Sequence, residues 1–180
     1  MDDEDALIKL AQKGDAVAFE QLVNRHYVTM FKMAFKWCGN QNDAEDITQD
    51  ACIKLARGLD SFKGDCAFTS WLYRLTINAG KDWYKKQNRH TQKAEPDPEA
   101  LDNVSTNAKS DSKLYAKQVL AAVQDLPDGE KEALLLVMSE GLSHKEAAKA
   151  LGVKESTVSW RIHEARKKLN AQFEKEQKYG

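Results

Sequence analysis

Two sets of polar side chains recur at helical spacing along this 180-residue chain, and both suit work on a polyanion. In the first, Ser156, Trp160, His163 and Lys167 share one helical face, with Ser159 beside them and Arg161, Arg166 and Lys168 on the flanks. Hydroxyls and an imidazole can hydrogen-bond to base edges in a duplex groove, while guanidinium and ammonium groups neutralise phosphates. In the second, Arg74, Asn78, Lys81 and Lys85 repeat at intervals of four, three and four, with the rings of Phe68 and Trp71 at the leading end. A continuous basic face headed by aromatics suits a surface that tracks a nucleic-acid backbone and offers an unstacked base somewhere to rest. Each pattern also fits a plainer description, the solvated charged side of an amphipathic helix.

Other chemistries find no support in the residue pattern. No nucleophile and base stand at useful spacing, no glycine-rich loop could cradle a phosphate, and no metal cluster is present, so the expectation is a protein without catalytic residues, metal or cofactor. Cys38, Cys52 and Cys66 include no CxxC pair and have no nearby histidine pair, which predicts three reduced thiols, two of them in helices.

The elements that must hold these faces read as helices throughout. Ser143 and Glu146 form a capping-box pattern, Ala147, Ala148 and Leu151 face inward, and Gly152 breaks the helix. A second helix starts near Glu155 with Val158, Ile162, Ala165 and Leu169 as its apolar stripe. Two short helices pivoting on a glycine have the shape of a helix-turn-helix, whose second helix enters the major groove. Trp160 is the odd member of its outer face, because an exposed indole is costly unless it packs on something.

Toward the N-terminus, helices are expected over Asp3–Lys13 and Asp15–Cys38, the second with Phe19, Leu22, Tyr27, Met30, Phe31, Ala34 and Cys38 in the core and His26 among them. After a turn at Gly39, Asn42 or Asp43 caps a helix whose inner stripe is Ala44, Ile47, Ala51 and Leu55. Its far side carries Asp46, Gln49, Asp50 and Ile53. That strip fits two descriptions equally, a protein-binding face with an apolar centre ringed by charge and a solvated face with one stray isoleucine. The basic helix spans about Phe68 to Gln87, with Leu72, Leu75, Ala79 and Trp83 turned to the core. Periodicity stops from Thr91 to Ser112, where Pro96, Pro98 and an acidic run make a linker. Helices resume and are stopped at Pro127 and Gly141.

The predicted fold is therefore all-α: two small helical domains, residues 1–90 and 113–180, joined by a flexible acidic linker over 91–112, the second containing the helix-turn-helix. The net charge of −1 hides two basic surfaces separated by that acidic segment. With no apolar run of membrane-spanning length and an acidic N-terminus, the chain is expected in the cytoplasm, with no membrane contact of its own.

Taken together, these landmarks resemble a bacterial RNA polymerase sigma factor of the small extracytoplasmic-function group, over nearly the whole chain. Asp43-Ala44-Glu45-Asp46-Ile47-Thr48-Gln49-Asp50 is similar to the family's core-binding segment, region 2.2. Phe62-Lys63-Gly64-Asp65, then Phe68-Thr69-Ser70-Trp71-Leu72-Tyr73-Arg74 and Asn78, resemble regions 2.3 and 2.4. Leu126-Pro127, Gly141-Leu142-Ser143, Glu146-Ala147-Ala148, Thr157-Val158 and Arg161-Ile162-His163-Glu164-Ala165-Arg166 resemble region 4. The chain departs from many relatives at Trp160, where they carry Ser, and at Glu164, where they carry a basic residue.

The resemblance implies an initiation factor that binds core RNA polymerase and directs it to promoter DNA, held in check by an anti-sigma factor. It implies that Asp46, Gln49 and Asp50, with Ile53 in the same strip, grip the polymerase. It assigns Phe68, Trp71, Arg74, Asn78, Lys81 and Lys85, with the loop from Asp60 to Phe68, to opening the minus-10 element around a flipped base. Ser156, Thr157, Ser159, Trp160, Arg161, His163 and Lys167 would read the minus-35 element as duplex, and the acidic linker would thread toward the polymerase active centre. The rival reading, a helix-turn-helix regulator that works without polymerase, would usually need a symmetric dimer, and no dimer helix is evident.

Overall fold

The computed structural model describes residues 3–87 and 110–179, which fold into eight α-helices with no strand among them. They divide into two compact units. The acidic linker over 91–112 falls almost wholly outside the described residues, as does its expected path.

The first unit holds α1 (Asp3–Gln12), α2 (Ala16–Cys38), α3 (Gln41–Gly58) and α4 (Phe68–Gln87), except that Lys36–Gln41 belong to the second unit. Its core is built from the stripes that periodicity marks. Leu22, Met30 and Ala34 of α2, Ala44, Ile47, Ala51 and Leu55 of α3, and Leu72 and Ala79 of α4 are all fully enclosed. Burying the Leu, Ile and Met side chains contributes roughly 1.5–3 kcal/mol each, the alanines less, and fixes the rotation of each helix about its axis. On α2 some residues expected in the core lie further out, Phe31 half-buried and Tyr27 exposed, while His26 among them is buried. Tyr27 is 38% exposed, and His26 is buried at 5%, where its Nε2 donates to Glu4 Oε1 at 2.7 Å. The carboxylate on α1 makes the inward imidazole tolerable, so the stripe passes through position 26. Trp83, expected in the core, is only half-buried.

The second unit contains α5 (Ser110–Gln124), α6 (Asp128–Leu134), α7 (His144–Leu151) and α8 (Glu155–Tyr179). Between α6 and α7 the chain closes a π-helical turn, Leu135–Ser139, with Glu140 N donating to Leu135 O, and Gly141 then takes a left-handed φ of 72°. Leu134, Leu135 and Leu136 are buried, and Val158, Ile162 and Ala165 of α8 are buried at 0%, 4% and 0%. α6 also buries three charged residues in succession, Glu130, Lys131 and Glu132. A hydrophobic count would leave them on the surface; pairing with α8 lets Glu130 and Glu132 be enclosed.

Candidate nucleic-acid interface

In the second unit, α7 begins as its sequence dictates. Glu146 N donates to Ser143 Oγ at 3.2 Å, while the Glu146 carboxylate accepts from Ser143 N at 2.8 Å and from Ser143 Oγ at 2.7 Å. These hydrogen bonds from Ser143 hold the Glu146 carboxyl below its usual range. The helix ends at Gly152, whose φ of 67° and ψ of 35° let its N–H turn back to Ala148 and Lys149 carbonyls. α8 then departs with Val158 and Ile162 inward, and the two helices are clasped on their outer side. His144 Nδ1 lies 2.8 Å from Ser159 Oγ, and that hydroxyl donates to Glu155 O at 3.1 Å.

The clasp and the packing of α6 sort the expected duplex-reading residues. Ser156, Trp160, His163 and Lys167 are exposed on one face, Trp160 at 60%. Thr157 is half-buried. Ser159 is exposed but engaged by His144 and Glu155. Arg161, on the flank of that face, turns toward α6. Its Nη1 is 3.6 Å from Glu132 Oε2, and its guanidinium lies so close to Gly129 that a Cβ there would come within 2.9 Å of Cζ. The physical reason is the buried Glu132 carboxylate, for which Arg161 is a cation within reach. Lys168 is drawn the same way, its Nζ 2.6 Å from Glu130 Oε1, and Arg166 donates to Met138 Sδ at 3.2 Å. Among these neighbours Lys167 is left pointing outward.

In the first unit, Trp71, Arg74 and Asn78 come together around one groove on α4, completed by Lys54 and Leu75. Lys85 lies further along the same helix, in a cleft of about 370 Å³ between α3 and α4 that also takes in Asp50, Ile53, Lys54, Arg57, Asp82 and Lys86. Lys81 is half-buried between these two stretches. Phe68, expected to face DNA, is 4% exposed and packs in the core. Its ring stacks on Trp71 at 5.8 Å with the planes 20° apart, and meets Phe62 edge-on at 5.1 Å. Phe68 is thus the floor on which Trp71 rests. The inward stripe of Leu72 and Leu75 places residue 68 on the buried side.

The strip on α3 is also formed. Asp46, Gln49 and Ile53 are exposed, Ile53 at 49%, and Asp50 is half-exposed with Lys86 Nζ 3.7 Å from its Oδ2. Beside it Lys54 Nζ donates to Asp82 Oδ2 at 2.7 Å, and that bond, ahead of the surrounding lysine charges, holds the Asp82 carboxyl below its usual range. At the head of α3, burial and then the neighbouring Asp46 push the Asp43 carboxyl up. Burial likewise raises the Cys52 thiol, keeping it in its unreactive form. Among the described residues no group of three His, Cys, Asp or Glu side chains could hold a metal ion, and no helix is long and apolar enough to cross a membrane.

A helical unit with a basic groove beside an acidic strip is followed by a unit with a helix-turn-helix, the arrangement of a DNA-binding protein. Residues 22–90 match the family Sigma-70 region 2, and residues 116–169 match Sigma-70, region 4. The chain is 32% identical to the RNA polymerase sigma factor NccH of Alcaligenes xylosoxydans xylosoxydans, over 97% of this chain and 96% of that protein. It is 29% identical to the ECF RNA polymerase sigma-E factor of Escherichia coli K12, over 93% of this chain and 92% of that one. It is 34% identical to the ECF RNA polymerase sigma factor SigE of Mycolicibacterium smegmatis, where the match takes in 87% of this chain but 63% of the relative's length. Among solved structures it is similar to CnrH in complex with the cytosolic domain of CnrY, with a TM-score of 0.67, 29% identity, and coverage of 94% of this chain and 96% of that one. The chain belongs to the RNA polymerase sigma factors of the extracytoplasmic-function group.

Proposed function

We infer that this sigma factor divides its work between its two units: α3 docks on core RNA polymerase, the α4 groove opens the minus-10 element, and α8 reads the minus-35 element. It is an initiation factor and not an enzyme, acting in the cytoplasm on promoter DNA until an anti-sigma factor covers it. The observation that carries the reading is the grouping of Trp71, Arg74 and Asn78 around one groove on α4. An indole supported from below by Phe68, with a cation and an amide at its edge, offers an unstacked base a stacking partner, a phosphate contact and a hydrogen-bonding group. Unstacking a base costs a few kcal/mol, and stacking plus phosphate contacts offset it. Lys81 and Lys85 extend the same basic path.

On α3, exposed Asp46 and Gln49 around Ile53, with Asp50 beside them, support docking by an apolar centre within a polar rim. On α8, Ser156, Trp160, His163 and Lys167 supply the outward surface for the minus-35 duplex, with Thr157 at its margin. Ser159 serves that surface through the outer clasp, and Arg161 from behind, through α6. The domain boundaries that follow are region 2 over residues 1–90 and region 4 over 113–180.

Reconstitution tests the reading. The full chain is mixed with core polymerase and DNA from promoters found by mapping transcript starts after overexpression. Transcripts that require the protein are the expected result. Tight duplex binding by the protein alone, with no transcript, would overturn it in favour of a polymerase-independent regulator.

A further inference from the structure

The loop from Phe62 to Ala67 enters α4 at the aromatic floor of the minus-10 groove, and both of its ends are fastened to a helix that precedes the region 2 match. That helix is α1, which ends at Gln12, whereas the match begins at residue 22; it holds the entrance of the loop directly and the exit only through His26 of α2. At the entrance of the loop, Gln12 Nε2 donates to Leu59 O and to Phe62 O, each at 3.0 Å. Two carbonyl acceptors fix which end of the amide faces them, since only the nitrogen can donate. At the exit, Glu4 accepts from His26 Nε2, and the His26 ring stands edge-on to Phe68 at 5.3 Å. Phe62 and Phe68, the two ends so held, also touch each other and Trp71. Leu7 and Ile8 anchor α1 itself by burial.

We propose that α1 is the brace of the minus-10 loop and that Gln12 is a positioning residue for base capture: its two hydrogen bonds to Leu59 and Phe62 set where Phe62, at the start of the loop, meets the Trp71 ring that lines the groove. A base-specific pocket works only when its walls are held within a fraction of an ångström, and a loop needs outside support to achieve that. The hydrogen bonds of Gln12 go to Leu59 and Phe62 and not to the polar groups of the groove, Lys54, Arg74 and Asn78. Its effect is therefore on selection between bases and not on attraction to DNA. The inference rests on the base-capture reading of this groove.

The test uses the full chain loaded on core polymerase and a fork-junction DNA, duplex at minus-35 and single-stranded at minus-10, with each minus-10 position of the non-template strand varied through the four bases. Gln12→Glu keeps the shape of the side chain but turns a carboxylate on two carbonyl oxygens. It is expected to flatten the ratio between best and worst base about tenfold, while affinity for core polymerase stays put. Gln12→Lys, which restores donors, should keep that ratio within about twofold of the unaltered protein. Taking the ratio cancels the generic effect of the added charge, and a merely structural loss would lower all four affinities together. Gln12→Ala, a good helix former, repeats the measurement if the glutamate variant folds poorly. A preference left intact by Gln12→Glu or Gln12→Ala overturns the brace alone, as does equal flattening by Gln12→Lys. No preference in the unaltered protein overturns base capture and the brace together.

Discussion

Arg161→Ala should damage the folding of the second unit and spare the electrostatics of DNA binding, the reverse of what a basic residue on a recognition helix suggests. The guanidinium faces a Glu132 side chain only 6% exposed, at 3.6 Å, and is itself 23% exposed. Removing one partner of a fully buried ion pair costs about 3–5 kcal/mol. The long contact and the partial exposure of Arg161 reduce that, and about 2 kcal/mol is a reasonable figure for this site. At about 1.4 kcal/mol per factor of ten, amides of α6 and α8 that exchange by opening of this unit should exchange roughly 30-fold faster. Peptide-resolved hydrogen exchange on the full chain reads this directly. Adding Glu132→Gln should recover part of the loss, because the stranded charge is removed with its partner. Lys167→Ala is the counterpart. It should leave exchange unchanged and lower the slope of log affinity against log salt by about one unit on minus-35 duplex. Normal exchange in Arg161→Ala together with a salt slope reduced by one would show that Arg161 faces phosphate and does not hold α8 to α6.

Arg74→Ala and Lys85→Ala should each flatten the salt dependence of promoter opening by about one unit, measured on polymerase loaded with the variant; an unchanged slope removes that residue from the DNA path. Gln49→Ala combined with Asp50→Ala should weaken capture of core polymerase about tenfold or more without altering minus-35 duplex binding, and normal pull-down would refute the α3 interface. Ser143→Ala should speed amide exchange in the first turn of α7 about fivefold. It should also let Glu146 titrate closer to the ordinary glutamate range, as followed by carboxyl resonances. In the unaltered chain the Glu146 carboxyl lies below that range, so the cap's contribution is complete above the ordinary value and is lost as pH falls through the lowered one. A cap that weakened on raising the pH instead would contradict this.

Much of the fold is legible because its signals are local. The Ser143–Glu146 box, the glycine at 152 and the stripe Val158, Ile162, Ala165 each lie within a few turns of chain, and each takes the place its pattern assigns. Likewise Ala44, Ile47, Ala51 and Leu55 define the inner face of α3, which leaves Asp46, Gln49 and Ile53 outside. What spacing does not reveal depends on partners far along the chain. Arg161 stands on the flank of α8, about 40° from Ala165, and a buried carboxylate on α6, which no local pattern reveals, claims it. His26 takes a core position because Glu4 meets it, and Tyr27 gives way. Gln12 carries no local pattern at all, since its acceptors lie 47 and 50 residues away. Phe68 differs, because the period of α4 already points it inward. The family resemblance reaches the grouping of Trp71, Arg74 and Asn78, but not the aromatic floor beneath them.

The hydroxyl of Ser159, held between His144 and the carbonyl of Glu155, has a consequence for how such a protein can change its regulon over generations. It ties the two helices of the reading head on their outer side, as Arg161 ties α8 to α6 from within. Positions 156, 160, 163 and 167 carry no such duty and can drift without loosening the head. Libraries selected for a new minus-35 sequence should therefore enrich replacements at those four and keep serine at 159 and arginine at 161, so that target choice evolves on a frame that stays fixed.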